Sequence, residues 1–346
     1  MSTFPDPQPG EPDVDLDPGD ESLHSLEDDA GAPPSPTALS SPKVGWDAPM
    51  SPELESFEPP LASQPPPLFT YTPRPLPPTR FPNLLDLLLV GLMLLLGFFC
   101  AGALTTLALH FHLFGVTTVK QALTDIHYTL GSQVAWYFFT FAGCLMFFPL
   151  IWHTSFLEGV EWRPRAAFRL RWKLLSAAFA CFILALIDGV LMPGPKEAPI
   201  DEVFKLPGAA WLLVLFGVTL APFFEELGFR GFLLPALCTA WDWCVEHIRH
   251  LPPREPDAEG KTRWSVPAMI AGSIITSIPF ALMHGEQTGY SFGPFVLLVC
   301  VSLVLCWVRL STRSLAASAL VHASYNLLLF ATLFVVSGGF RHMDKM

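Results

Sequence analysis

The sequence predicts an all-α, polytopic transmembrane bundle of about seven helices, with eight as the alternative, behind a disordered N-terminal tail. Three observations lead there. Hydrophobic residues make up 51% of the 346-residue chain and charged residues only 15%. Beyond residue 82 the chain falls into apolar stretches that reach the ~20 residues a helix needs to cross a bilayer. The acidic charge lies almost wholly ahead of them. Residues 1–82 hold 14 Asp and Glu against three Lys and Arg, whereas the remainder holds 17 of each. A chain of this length has room for two or three soluble domains, but the hydropathy gives a tail and a helical bundle. The net charge of −11 therefore belongs to the tail. The expected partner of the membrane part is the lipid bilayer, not a nucleic acid, and the charge says nothing about any other.

The tail, residues 1–82, carries 21 of the 35 prolines, in runs such as Pro65-Pro66-Pro67. Such a segment cannot bury enough apolar surface to offset its chain entropy, so a solvated spacer is expected. A proline-recognition ligand is the sharper alternative. No basic region followed by a short apolar run and cleavage site opens the sequence, so the run from Leu84 should act as an uncleaved anchor.

Seven apolar stretches follow, at about 84–112, 134–153, 173–193, 208–243, 265–285, 290–309 and 314–336. The first three belong to an N-terminal helical region, 83–207, and the rest to a core, 208–336. The fourth is long enough to be split at Gly228, which would give eight spans. The positive-inside rule decides between the options. Arg163, Arg165, Arg169 and Arg171 place the 154–172 connection in the cytoplasm, and the balanced 194–207 connection can lie outside. A single long, tilted fourth helix then returns Arg249, Arg254, Lys261 and Arg263 to the cytoplasm, together with Arg309 and Arg313. Splitting it inverts every later loop. The expected location is thus a cell membrane, bacterial in setting, with the N-terminus cytoplasmic; the short C-terminus, with Arg341 and Lys345, is the one misfit.

Polar groups interrupt the apolar core in three places: Glu225-Glu226-x-x-x-Arg230, Phe280-x-x-x-His284 and His322-x-x-x-Asn326. An ionisable group in hydrocarbon costs ~2.5–3.5 kcal/mol or more, so these groups must face a cavity or one another. Residues four apart share a helix face. Glu226 and Arg230 can therefore neutralise each other, and His322 and Asn326 can point into one cavity. Glu225, turned about 100° from Glu226, is left for another partner. Phe280 lies one turn before His284 and can shield its imidazole. Gly228, Gly231 and Gly272 are small enough to let helices approach closely. Glu225 should lie ~25 Å into its helix and His322 ~12 Å into the last. His284 would need an extended or tilted fifth helix. Each group has a plainer reading: a Glu–Arg pair as a structural tie, a membrane histidine as an internal hydrogen bond, an asparagine as interhelical glue. Their combination favours a site. The seven cysteines show no CxxC spacing and read as small packing residues.

At these residues the chain resembles the CPBP family, which includes type II CAAX prenyl endopeptidases and bacteriocin-processing and immunity membrane proteins. The resemblance rests on Glu225-Glu226-Leu-Gly-Phe-Arg230-Gly231, Phe280-Ala-Leu-Met-His284 and His322-Ala-Ser-Tyr-Asn326 and covers about 208–333. It implies an intramembrane endopeptidase with an all-helical core. The catalytic set would be Glu225, Glu226, Arg230, His284, His322 and Asn326, with Glu225 as general base. Peptide hydrolysis needs an activated water and a stabilised oxyanion. Glu225 and His284 can serve the water, and His322 and Asn326 the oxyanion. In a second version Glu225, His284 and His322 hold a divalent metal such as zinc; no HExxH is present, and the glutamate-activated water is the preferred version. A non-catalytic immunity or scaffold protein on the same fold is the main alternative. A proton-coupled transporter would be expected to show internal repeats, and none is clear.

Overall fold

The computed structural model describes residues 82–192, 203–204, 208–257 and 262–341. The expected tail and most of the 194–207 connection lie outside the described residues. Helices account for nearly everything described, and no strand occurs among these residues. Seven helical stretches are long and apolar enough to span a membrane.

The first is α1 (Leu84–His110). Asn83 opens it with a capping box, accepting hydrogen bonds from the Leu85 and Asp86 amides while the Asp86 carboxylate accepts from the Asn83 amide. Asp86 also accepts a hydrogen bond from the Trp152 indole at 3.0 Å. That contact ties the start of α1 to the end of α3 (Ile126–Trp152), along which α1 packs. A single turn, α2 (Val119–Ala122), lies between them. Helix α3 starts eight residues before the apolar run at 134 that marks it in the sequence. Its first two turns contain His127, Thr129, Ser132 and Gln133, which dilute the hydropathy, and Asp125 caps it through the His127 and Tyr128 amides.

Two short helices, α4 (Phe156–Gly159) and α5 (Pro164–Arg169), lead into α6 (Arg171–Leu191). The fourth apolar stretch is one candidate span, Ala209–Ile248, as the charge distribution requires, but it is not one straight α-helix. It runs as α7 (Ala209–Val218), α8 (Leu220–Glu226), a π-helical segment (Leu227–Leu233) and α9 (Leu234–Ile248). The break at Thr219 follows from Pro222, which has no N–H to give Val218 and whose ring crowds that carbonyl. Pro235 does the same to Gly231, and two glycines lie within the π segment, so the local sequence has little hold on α geometry there.

Helices α10 (Val266–Met283), α11 (Phe292–Thr312) and α12 (Leu315–Val336) complete the bundle. Ser265 and Ser314 cap α10 and α12 through the amides three residues on. Helix α12 packs against α6, α7 and α8, and α10 against α9 and α11. One core cluster joins Ala178 and Cys181 of α6 to Phe280, Val301, Leu305, Val321 and Tyr325. A second joins Val90 and Met93 of α1 to Phe148, Trp152, Phe156 and Phe232. Large apolar side chains such as Leu88, Phe99, Phe138, Val190 and Trp307 point outward. In water they would form an untenable apolar surface; in a bilayer they meet lipid while the helices satisfy their own backbone.

Close approach occurs at two of the three glycines singled out in the sequence. A β-carbon at Gly272 would fall 2.7 Å from the Cys238 sulfur, and one at Gly231 would lie 3.2–3.3 Å from Leu227 and Leu315. Gly228 faces open space, so its role is not close packing. Cys144, Cys181, Cys238 and Cys306 are buried and unpaired, as packing residues should be.

Candidate active site

The first motif straddles the junction of α8 and the π segment. Glu226 is the last residue of α8, and Arg230 lies within the π segment. Their side chains are fully buried and form a 3.0 Å ion pair, as their spacing predicts. Arg230 also donates to the Ser302 hydroxyl at 2.6 Å and the Ser302 carbonyl at 3.2 Å on α11. Its guanidinium lies 4.4 Å from the centroid of the Phe280 ring. A buried charge is tolerable only when so surrounded. The same Glu226 Oε1 lies 3.0 Å from His322 Nδ1. A carboxylate only accepts, so His322 carries a proton on Nδ1 and turns Nε2 elsewhere.

Glu225 faces away from that pair. Its Oε2 lies 3.6 Å from His284 Nε2 and 3.7 Å from His322 Nε2. Neither is a hydrogen-bond distance. Oε2 is buried, and among the described residues it receives no hydrogen bond. His284 sits at the C-cap of α10, one residue past the helix, rather than inside an extended span. Its Nδ1 lies 2.8 Å from the Phe280 carbonyl, so Nδ1 is again the protonated nitrogen. The helix ends here, with the His284 amide bonded to the Ala281 carbonyl, and the imidazole supplies the donor that the Phe280 carbonyl would otherwise lack. Phe280 stands over both imidazoles, with ring centroids 4.8 Å from His284 and 5.8 Å from His322.

The two ring tautomers have a common consequence. As neutral rings, both histidines turn an unprotonated Nε2 toward a carboxylate oxygen. Three acceptors thus converge without a protein donor between them, an arrangement suited to a molecule that brings its own hydrogens. The site is nearly closed: the Glu225 and His284 side chains keep only 14% and 15% of their surface, and His322 keeps 5%. Asn326, one turn beyond His322, donates one amide hydrogen to the Gly217 carbonyl on α7 at 2.8 Å. That bond ties α12 to the end of α7 just ahead of the break at Thr219 and leaves the amide one further hydrogen to give.

The donor types at Glu225, His284 and His322 are those that hold zinc. Among the described residues no group of three His, Cys, Asp or Glu side chains is arranged to hold a metal ion.

Residues 207–328 match the family model described as type II CAAX prenyl endopeptidase Rce1-like. This Rce1-like segment spans a little over a third of the chain and contains all six motif residues. The match supports an intramembrane CAAX-type protease in general and agrees with the CPBP resemblance. No curated protein and no solved structure matches the chain.

Sequence reasoning missed several residues that hold the site. Ser302, a lone hydroxyl in an apolar helix, gave no signal apart from its polarity. Arg309 reads in the sequence as a cytoplasmic loop charge. In the structure it lies in the last turn of α11 and is only 2% exposed. Its depth is set by Glu161, 148 residues away, which no local pattern links to it.

Proposed function

We propose that the chain is an intramembrane endopeptidase in which Glu225 is the general base. The observation that carries this reading is the buried Glu225 Oε2, flanked by two imidazole nitrogens and bonded to neither. A water seated against Glu225 and His284 donates to the carboxylate, which takes its proton as the oxygen attacks the scissile carbonyl. The tetrahedral intermediate places negative charge on the former carbonyl oxygen. Asn326 donates its second amide hydrogen to that oxygen. His322 adds a donor there only as an imidazolium, with Glu226 as its counter-charge; as a neutral ring its Nε2 is a proton acceptor. The proton taken by Glu225, relayed through His284 Nε2 where the geometry requires it, then passes to the leaving amine as the C–N bond breaks. Phe280 keeps bulk water and lipid from both rings.

The substrate is a membrane-associated protein or peptide, and a prenylated C-terminal CAAX segment is the class that the matched family's description suggests. Cleavage of a membrane-anchored peptide by purified protein tests the reading. Glu225→Gln keeps the side-chain volume and removes the base, so cleavage should fall by at least the ~10²–10⁴-fold assigned to general base catalysis. Full activity in a folded Glu225→Gln protein excludes the role. Because no step needs a metal, exhaustive chelation should leave the wild-type rate unchanged. A loss restored by zinc would instead make Glu225, His284 and His322 ligands.

A further inference from the structure

The site is fastened from outside the Rce1-like segment. Arg309 Nε donates to the Arg230 carbonyl at 3.2 Å, within the π segment, and one terminal nitrogen donates to Glu161 Oε2 at 2.7 Å. Glu161 lies between α4 and α5. Its other carboxylate oxygen accepts from Arg163 at 3.1 Å, and its backbone carbonyl accepts from the Leu315 amide at 3.0 Å. Leu315 is the first residue of α12, the helix that bears His322. Ser314, the cap of that helix, donates its hydroxyl to the Arg163 carbonyl at 3.0 Å.

Glu161 is thus one link from two of the three helices whose side chains meet at the site. Its carboxylate reaches the Glu225–Glu226 helix through Arg309, and its main chain holds the His322 helix directly. Its backbone makes the choice of residue informative. Glu161 has φ +55°. A residue with a β-carbon is strained there, and glycine would adopt the conformation freely. What glycine lacks is the carboxylate. The grip falls where the fold needs it, because a π turn is a poor geometry held by its surroundings and carbonyls beside it need outside donors.

We infer that Glu161, acting through Arg309, is a positioning residue for hydrolysis: it fixes the π segment against the start of α12 and so sets Glu225 against His284 and His322. This rests on the proteolytic reading, and the roles do not overlap. Neither residue reaches the reacting atoms, yet a displacement of the order of 1 Å at the site can cost ~10²-fold in rate.

The test compares Glu161→Gln, Glu161→Gly and Arg309→Lys with wild type in cleavage of a membrane-anchored peptide. Hydrogen exchange of the 227–233 amides is followed in the same preparations. Glu161→Gln keeps a hydrogen-bond acceptor beside the buried Arg309 and removes only the charge, so it is the variant expected to fold even if Glu161→Gly, which leaves Arg309 without a counter-charge, does not. The expected result is a ~10–100-fold fall in kcat with KM within about two-fold, as for loss of transition-state alignment alone. Exchange over 227–233 should rise ~ten-fold while α1 and α3 stay unchanged. Unchanged kcat in folded variants overturns the inference. So does a loss that merely follows the folded fraction, with exchange raised throughout the protein. If wild type cleaves nothing, the proteolytic reading falls, and the exchange measurement still decides whether Glu161 holds the π segment.

Discussion

Glu225 and Glu226 are neighbours in sequence with opposite circumstances. Glu226 has charged and donating partners at one oxygen, which accepts from both Arg230 and His322 in full burial, while its second oxygen has no hydrogen-bond partner among the described residues. Glu225 keeps an oxygen with no protein donor. The difference comes from the ~100° turn between adjacent helical residues, which sends one carboxylate to Arg230 and His322 Nδ1 and the other toward the Nε2 atoms of His284 and His322. It predicts different failures. Glu225→Gln should leave thermal stability intact while cleavage is lost. Glu226→Gln or Arg230→Met should cost about 3–5 kcal/mol, because each leaves a buried charge without its partner. A shift in melting temperature within error for either would count against a buried pair. Exchanging the two residues should not restore stability. An arginine at 226 would face His322 Nδ1, and a glutamate at 230 would lose the donation to Ser302 and the stack on Phe280.

At the scale of the element, the fourth stretch matters most. A continuous α-helix of 40 residues would be ~60 Å long, about twice the hydrocarbon thickness. Pro222 and Pro235 divide it, and the π segment between them turns Arg230 onto α11. Its glycines separate two roles that the sequence presents alike. Gly228→Ala adds a methyl group to open space and removes the entropy that glycine loses on folding, so it should be neutral or raise stability by up to ~1 kcal/mol. Gly272→Ala drives a β-carbon to 2.7 Å from the Cys238 sulfur, where both helices are packed, and should cost about 1–3 kcal/mol. Thermal melts of the two variants in one detergent check the contrast. Equal effects would mean that the α9–α10 contact is looser than these positions require.

At the scale of the molecule, seven spans fix the relation among the loops. The Lys/Arg distribution then proposes which side each faces. The structure weakens one part of that count and keeps the rest. Arg309 is a buried clasp, and Arg163 is partly committed to Glu161, but Arg165, Arg169 and Arg171 still crowd the 154–172 connection. Single cysteines at Ser155 and Ala258, in a background free of native cysteines, should therefore resist an impermeant thiol reagent added to intact cells. One at Ala198 should react. Labelling of both Ala258 and Ala198 from outside would mean that the fourth stretch crosses twice.

What the sequence determined by itself was whatever depends on spacing along a helix or on amounts of apolar surface. Seven spans, the Glu226–Arg230 pair and the shielding of His284 by Phe280 all follow from 20-residue runs and four-residue intervals. The three motifs could be read as one set because membrane helices tolerate buried charge only where charges meet. Tertiary structure alone decided which atoms face which. The tautomers of His284 and His322 follow from a carbonyl on the same helix and a carboxylate 96 residues away. The burial of Arg309 depends on Glu161, and the tie of Asn326 to Gly217 on how a broken helix folds back beside α12. A hydrogen bond is selective over a few tenths of an ångström and indifferent to separation in sequence, so no local pattern carries that information.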